Sequence, residues 1–330
     1  MTNVTIKDIA ERTGVSYATV SRAINGKGKL SKETRRRVLA AAEEMGYTPN
    51  AIARSLVMKQ SYTIALILAD ISNPFFAGIA DAATQAAYQK GYHLLLCNTG
   101  WDPELERQQL DVMMQKRVDG IILKPADEIR ADFSEIHTPL VLLDHSCDGE
   151  TSYIEMDNKT GGYLAGEHLA KCGYRHIGFI GNNRASAPNA ARLSGFRQAL
   201  LDNGLPVDES VIRSGPYTIE SGLQIAHSMM QSDNPPDALF CVNDLVALGA
   251  WQCMDECGVS VPDEFGIVGF DDIFISALPR ISMTSIAQPR RRMGELAVNM
   301  IINAIEAGAQ NYTQKLLLQP ELRIRGSTKF

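Results

Sequence analysis

Several polar side chains of this 330-residue chain stand directly after short apolar runs. Asn73, with Phe75 and Phe76, follows TIALILA at 63–69. Lys124 ends GIILK, Asp144 and His145 end LVLLDH, Asn243 and Asp244 follow ALFCV, Asp271 and Asp272 follow IVGF, and Gln288 follows TSIA. Arg192 lies in AARLSGF. Carboxylates and amides pair with vicinal hydroxyls, and a guanidinium fork donates to two oxygens at once. Aromatic faces pack on the C–H faces of a ring. This is chemistry for holding a small polyhydroxylated molecule. Bond-breaking chemistry has no counterpart motif: G-x-S-x-G, a P-loop, H-E-x-x-H and G-x-G-x-x-G are all absent. Asp271–Asp272 could pass for a catalytic carboxylate pair. Neighbours on a strand exit point in different directions, so the pair reads as one hydroxyl binder and one bystander. His93, His137, His168, His176 and His227 are isolated in sequence and read as surface or core histidines. No enzymatic activity and no cofactor is expected.

The six cysteines, Cys97, Cys147, Cys172, Cys241, Cys253 and Cys257, form no C-x-x-C. They read as small buried side chains in a reducing compartment. Cys253 and Cys257 alone have another reading. At i, i+4 on one helix they could form a metal or redox pair, although no His or second pair adjoins them in sequence.

The elements that position the polar set follow from the pattern. From Thr63 short apolar runs alternate with helical stretches: Phe75–Lys90, Pro103–Lys116, Lys159–Cys172, Asn189–Asn203, Ile219–Gln231 and Leu245–Cys257. Strands alternating with helices make parallel sheets covered on both faces. The rhythm restarts after about residue 158, which divides residues 61–330 into two similar lobes. In such sheets ligands bind beyond the carboxyl ends of the strands, so the polar residues named above converge on one interlobe cleft.

The first sixty residues differ in charge and pattern. They carry eleven Lys and Arg against five acids, a net +6, whereas the other 270 carry 21 bases and 33 acids, a net −12. A basic head on an acidic body is suited to a polyanion. Ile6–Thr13 reads as a helix capped by Thr5 and ended by Gly14, and Ser16 opens a second helix to Ala23. Val15, Val20 and Ala23 face inward, and Tyr17, Ala18, Ser21 and Arg22 face out. A third helix, Thr34–Met45, has Ser31 as its N-cap and presents Arg35, Arg36 and Arg37. Two short helices joined by a tight glycine turn form a helix-turn-helix, whose second helix enters the major groove. Tyr17, Ala18 and Arg22 are the expected base readers, and Ser16, Thr19, Ser21 and Asn25 position the backbone.

The segments VTIKDIAERTGVSYATVSRAING and ETRRRVLAAAEEMGYTPNAIARSL resemble the lactose/galactose-repressor (LacI/GalR) family over about sixty continuous residues. SNPFF, VDGII, ARLSGF, VNDLVALG, IVGFDD and SIAQP extend the likeness to the periplasmic-binding-protein fold of those repressors and of monosaccharide-binding proteins. The resemblance implies an all-α helix-turn-helix domain over 1–48 and a hinge helix over 49–60. It also implies an effector-binding and dimerisation domain over 61–330 made of two parallel-sheet lobes. The first lobe would hold about 61–158 and 289–318, the second about 159–288 and 319–330. Asn50, Ala53 and Leu56 of the hinge then join Thr5 and the residues above on DNA, with Leu56 wedged into a central CG step of a palindromic operator.

Asn73, Asp144, Arg192, Asn243, Asp271 and Gln288 would clamp sugar hydroxyls, with Phe75, Phe76 and Tyr217 beside them. His145 stands where ribose-type proteins have arginine. Lys124 either joins Arg192 and His145 in an electropositive pocket for a sugar acid or sugar phosphate, or points to solvent or pairs with Asp127. The implied protein is a homodimeric repressor of carbohydrate genes bound to double-stranded DNA and controlled by a monosaccharide or sugar acid. A stand-alone sugar-binding protein and a repressor with a purine or phosphocarrier corepressor are the alternatives. MTNVTIKDIAERTG has no secretory h-region and no apolar run could span a bilayer, so a cytoplasmic protein without membrane contact is expected. A chain ending at Phe330, soon after the last strand, leaves no heptad tail for tetramers.

Overall fold

The computed structural model describes residues 4–24, 29–48, 60–126, 133, 135–145, 150–184, 186–308 and 312–329. The chain divides into two compact units, Met1–Ser61 and Tyr62–Phe330.

The first unit has helices α1 (Ile6–Thr13), α2 (Tyr17–Ile24) and α3 (Lys32–Glu44). Thr5 closes a capping box with Asp8: its backbone N–H donates to the carboxylate at 2.7 Å, while its hydroxyl oxygen accepts from the Asp8 N–H. Gly14 ends α1 at φ 67°, and its N–H donates to the Ala10 carbonyl. A left-handed residue is what lets α2 start three residues later. Helix α3 opens at Lys32, two residues before the expected Thr34, because Ser31 is its N-cap and the helix proper begins at the next residue. Ile9, Val20, Ala23, Val38, Ala41 and Ala42 form the small core.

The second unit contains two six-stranded sheets. The first comprises β1 (Thr63–Leu68), β2 (His93–Asn98), β3 (Gly120–Leu123), β4 (Leu140–Leu143), β5 (Ser152–Met156) and β11 (Lys315–Leu318), all parallel, in the order β11-β5-β4-β3-β1-β2. Helices α4 (Pro74–Gln89) and α10 (Arg290–Ala307) cover one face and α5 (Pro103–Gln115) the other. Alternation along β1 explains both layers: Ile64, Leu66 and Leu68 pack towards α4 and α10, and Ala65 and Ile67 towards α5. The second sheet comprises β6 (Ile177–Asn182), β7 (Ile212–Gly215), β8 (Ala238–Cys241), β9 (Gly266–Asp271), β10 (Thr284–Ala287) and β12 (Glu321–Arg323), in the order β12-β10-β9-β8-β6-β7. Its helices are α6 (Asn158–Lys171), α7 (Ala187–Asp202), α8 (Ile219–Met230) and α9 (Asp244–Cys257).

Two features depart from the sequence reading. Strand β12 runs antiparallel to β10, so the second sheet is mixed. Elements β5, α10 and β11 were not among the expected ones. In β5 the outward positions Tyr153 and Glu155 interrupt the apolar signal, with burial alternating along the strand. The chain passes between the sheets three times: after β5, after β10 and between β11 and β12. Among the described residues no helix is long and apolar enough to cross a membrane.

Candidate ligand cleft and helix-turn-helix surface

Beyond the carboxyl ends of the strands, the second unit holds a cleft with about 420 Å³ of atom-free space, open to solvent on one side. It is lined by Asn73, Phe75, Phe76, Trp101, Lys124 and Asp144 from the first lobe, and by Ser186, Pro188, Arg192, Tyr217, Asn243, Asp271 and Gln288 from the loops and helix ends around the second. Ten of the eleven residues singled out from sequence meet here. His145 does not line the cleft; its ring stands edge-on to Phe133, centroids 6.4 Å apart. Trp101, Ser186 and Pro188 were missed. Trp101 follows β2 and Ser186 follows β6, so the strand-end rule that found the others covers them too.

The cleft is polar by construction. Asn73 caps α4 by accepting from the Phe75 N–H at 2.9 Å, and Asn243 caps α9 by accepting from the Val246 N–H at 2.9 Å. Both helices therefore aim N-terminal N–H groups at the space between the lobes. Arg192 is buried; its Nε donates to Asn158 Oδ1 at 2.8 Å and its Nη1 to the Val242 carbonyl at 2.6 Å. Its guanidinium lies 3.6 Å from the centre of the Phe270 ring. Asp144 accepts from Asn158 Nδ2 at 3.0 Å, so Asn158 ties the carboxylate of one lobe to the guanidinium of the other. Asp271 accepts from Gln288 Nε2 at 2.6 Å, whereas the buried Gln288 Oε1 has no partner among the described residues. An orphaned buried acceptor of this kind calls for a donor.

Lys124 does not point to solvent. It is 3% exposed, and its Nζ donates to the Asp144 carbonyl at 3.2 Å and stands 6.0 Å from the Trp101 ring. Of the three residues expected to make an electropositive pocket, Lys124 and Arg192 line the cleft and His145 does not, and Asp144 and Asp271 share the cleft with the two cations. Of the adjacent pair, Asp271 enters the cleft and Asp272 forms an ion pair with Arg325 at 2.7 Å. Phe75, Phe76, Trp101 and Tyr217 make a continuous aromatic wall, with successive centroids 5.2, 6.1 and 5.7 Å apart.

Trp101, Asp144 and Asp271 hold φ of 62°, 47° and 100°, a left-handed backbone that non-glycine residues adopt at a cost of about 1–3 kcal/mol each. All three line the cleft, whereas Tyr62, Arg117, Asp272 and Ser282, which share this backbone, do not.

Burial pushes Asp271 up to about 7; Arg192 opposes the shift, and Asp244 and Asp144 add to it. Asp244 is also pushed up by burial, to about 6, although Ser276, Ser285 and the Ile273 N–H all donate to it. A folded carboxyl above its unfolded value binds protons that the unfolded chain has lost. The expected result is that stability falls as pH rises from about 4 to about 7 and then levels off. The reverse dependence in urea unfolding across that window would refute the burial of these two carboxylates.

On the first unit, Tyr17, Ala18 and Arg22 are exposed along α2, Tyr17 at 55%. Ser16 fixes the start of α2 by accepting from the Thr19 N–H at 3.2 Å, with the two hydroxyls 2.9 Å apart. Thr19 and Ser21 are half-buried, and Arg35, Arg36 and Arg37 are exposed on α3. Asn25, Asn50, Ala53 and Leu56 lie outside the described residues, as does Asp127.

Residues 61–323 match the model of "Periplasmic binding proteins and sugar binding domain of LacI family", and residues 5–50 that of "Bacterial regulatory proteins, lacI family". The chain is 35% identical over 334 residues to the HTH-type transcriptional repressor PurR of Haemophilus influenzae (strain PittEE), covering 98% of each chain. The Lac repressor dimer bound to operator and the anti-inducer ONPF is similar with a TM-score of 0.89 and 28% identity, over 100% of both chains. A complex of the transcriptional regulator CelR with cellobiose is similar with a TM-score of 0.74 and 28% identity, over 98% of this chain and 100% of that one.

Proposed function

The chain belongs to the lacI family of bacterial regulatory proteins and is a DNA-binding transcriptional regulator, not an enzyme, and from that premise we propose that it is a homodimeric repressor controlled by a neutral monosaccharide-sized polyol. One observation carries the effector reading. Carboxyl groups, an amide with an orphaned oxygen and a guanidinium converge from both lobes on one cleft. A sugar offers hydroxyls that both donate and accept, which fits that mixture. A sugar acid or phosphate would set a further negative charge against Asp144 and Asp271. The likeness to the CelR–cellobiose complex and the sugar-binding family description support the same reading.

A purine is the second reading. It is favoured by the wall of Phe75, Phe76, Trp101 and Tyr217, on which a flat base can stack, and by the similarity to PurR repressors. Calorimetric titration and thermal shift with neutral pentoses and hexoses, uronates, sugar phosphates, hypoxanthine and guanine separate the readings. A ligand at 100 times its Kd stabilises the fold by about 2.7 kcal/mol. Stabilisation by neutral sugars alone supports the first reading. Stabilisation by purines alone replaces it with the second, and by uronates or phosphates alone overturns the neutral-ligand reading.

The mechanism we propose is linkage between the two units. Effector in the cleft selects one lobe arrangement, and that arrangement sets the spacing of two helix-turn-helix heads on a palindrome. Moving such an equilibrium from 1:99 to 99:1 takes about 5.5 kcal/mol of differential affinity. Dimerisation is supported by edge strand β2, where Leu95 and Leu96 are 38% and 47% exposed in a strand that a closed α/β unit would cover. The protein acts in the cytoplasm, where its DNA is.

On the operator, Tyr17, Ala18 and Arg22 read bases, and Leu56 of the hinge enters the minor groove. Replacing Arg22 with alanine should relax discrimination at one base pair by about 1–3 kcal/mol. Replacing Arg35 with alanine should weaken all sequences alike and reduce the salt slope by about one. Fluorescence anisotropy on an operator selected from a random library, and on its single-base variants, distinguishes these outcomes. Uniform weakening by the Arg22 variant would remove it from the base-reading set.

A further inference from the structure

The expectation that the cysteines are buried side chains holds for Cys241 and Cys253, but Cys257 is exposed. It stands at the end of α9 with Cys253 one turn before it. The fold supplies what the sequence lacked: His227, from the last turn of α8, reaches the same place. The side-chain ligand atoms of His227, Cys253 and Cys257 all lie within 4.8 Å of one another, and His227 Nδ1 is 3.9 Å from Cys257 Sγ. Zn–S bonds of about 2.3 Å and Zn–N bonds of about 2.0–2.1 Å put tetrahedral S and N ligands about 3.6 Å apart and two sulfurs about 3.8 Å apart. The three atoms therefore stand a small rotamer adjustment from a coordination face.

The His227 ring is already oriented for that task. Its Nε2 pairs with Glu256 Oε2 at 2.8 Å, and Glu256 Oε1 accepts from Gln252 Nε2 at 2.8 Å. A carboxylate holds the far nitrogen while Nδ1 faces the sulfurs, the arrangement that metal-bound histidines use. The two helices are held close as well. A Cβ on Gly222 would run into the Val246 carbonyl, and one on Gly249 into that of Ile219, so α8 and α9 touch along their backbones. The exposed Cys257 and half-exposed His227 leave a way in from solvent.

We propose that His227, Cys253 and Cys257 form a Cys2His site for a thiophilic divalent cation of the zinc class, with water in the fourth position and Glu256 as the positioning carboxylate. Two thiolates balance the charge of the ion, and the thiolate–imidazole set selects zinc-like cations over magnesium or calcium. The ion would clip α8 to α9, whose opposite ends lead from Tyr217 and Asn243 of the cleft.

The test uses the full chain, reduced and stripped with chelator, titrated anaerobically with Co²⁺, Zn²⁺ and Mg²⁺. The expected result is one equivalent of cobalt with thiolate-to-metal charge-transfer and tetrahedral d–d absorption, displaced by zinc and unaffected by magnesium, together with a zinc-dependent rise in Tm. Cys257→Ser and His227→Gln should abolish the absorption, and Glu256→Gln should weaken binding about 10–100-fold. Cys257 is exposed, so its variant is expected to keep the apo protein's Tm and circular dichroism. Cys172→Ser, at the other Cys–His pair, where Cys172 Sγ is 3.6 Å from His168 Nε2, should leave binding intact. Absence of the thiolate band in the reduced protein overturns the proposal. So does a band that survives in Cys257→Ser or disappears in Cys172→Ser. None of these readouts depends on operator or effector.

Discussion

An Arg192→Ala variant is expected to lose effector binding by about 10- to 100-fold and to unfold with about 2–5 kcal/mol less stability. Both effects come from one buried guanidinium. Its removal leaves the Val242 carbonyl and Asn158 Oδ1 as buried acceptors without their donor, each worth about 1–3 kcal/mol. The Phe270 ring loses the cation on its face. The affinity loss corresponds to one charge-assisted hydrogen-bond pair at about 1.5–3 kcal/mol. Asp271 responds as well: with the opposing positive charge gone, its carboxyl titrates still higher than about 7 and stays protonated under assay conditions. Arg192→Lys should restore charge but not the fork, because an ammonium cannot span the acceptors with fixed geometry. Calorimetry and urea unfolding on the two variants check this. Full effector affinity in Arg192→Ala would remove Arg192 from the site.

Gly162→Val should be as damaging without touching the cleft. A Cβ at Gly162 meets the backbone of Arg192, its carbonyl oxygen first, and one at Gly195 meets the Lys159 carbonyl. Helices α6 and α7 therefore pack main chain on main chain. No rotamer relieves a clash with backbone, so the helices must separate. Overpacking of this kind costs about 1–3 kcal/mol and occasionally more. The helix-propensity gain of roughly 0.5 kcal/mol or less from replacing glycine with valine does not offset that cost. Separation carries Arg192 outward, so effector affinity should fall even at temperatures where the variant remains folded. An unchanged Tm in thermal unfolding would contradict the close approach.

What the sequence made legible follows from the physics of each signal. Parallel strands buried on both faces read as unbroken apolar runs, so TIALIL, GIIL, LVLL and ALFC were found, and the polar residues just beyond them marked the cleft. The same rule reached Asp271 and Gln288 in different lobe connections, and it extends to Trp101. Strand β5 escaped because Tyr153 and Glu155 alternate with its buried positions. The register of β12, antiparallel on β10, is set by the return of the chain rather than by any local pattern. His145 shares its strand end with Asp144, and pattern alone could not tell which of the two turns into the cleft; the φ of 47° at Asp144 decides it. The meeting of His227 with Cys253 and Cys257 depends on two glycine contacts between helices, which no spacing in the sequence reveals.

The three passages of chain between the two sheets have a mechanical consequence. A single tether would let one lobe swivel, slide and twist against the other. Three tethers resist shear and axial rotation together, and leave bending about the line they share as the soft coordinate. A molecule gripped between Trp101 and Asp144 on one side and Arg192 and Asp271 on the other then meets a device with little freedom to spend its binding energy on anything but opening or closing. The lobe faces furthest from that line move most, as the tip of a lever does. A small adjustment at the cleft would thereby be geared up before it leaves the unit.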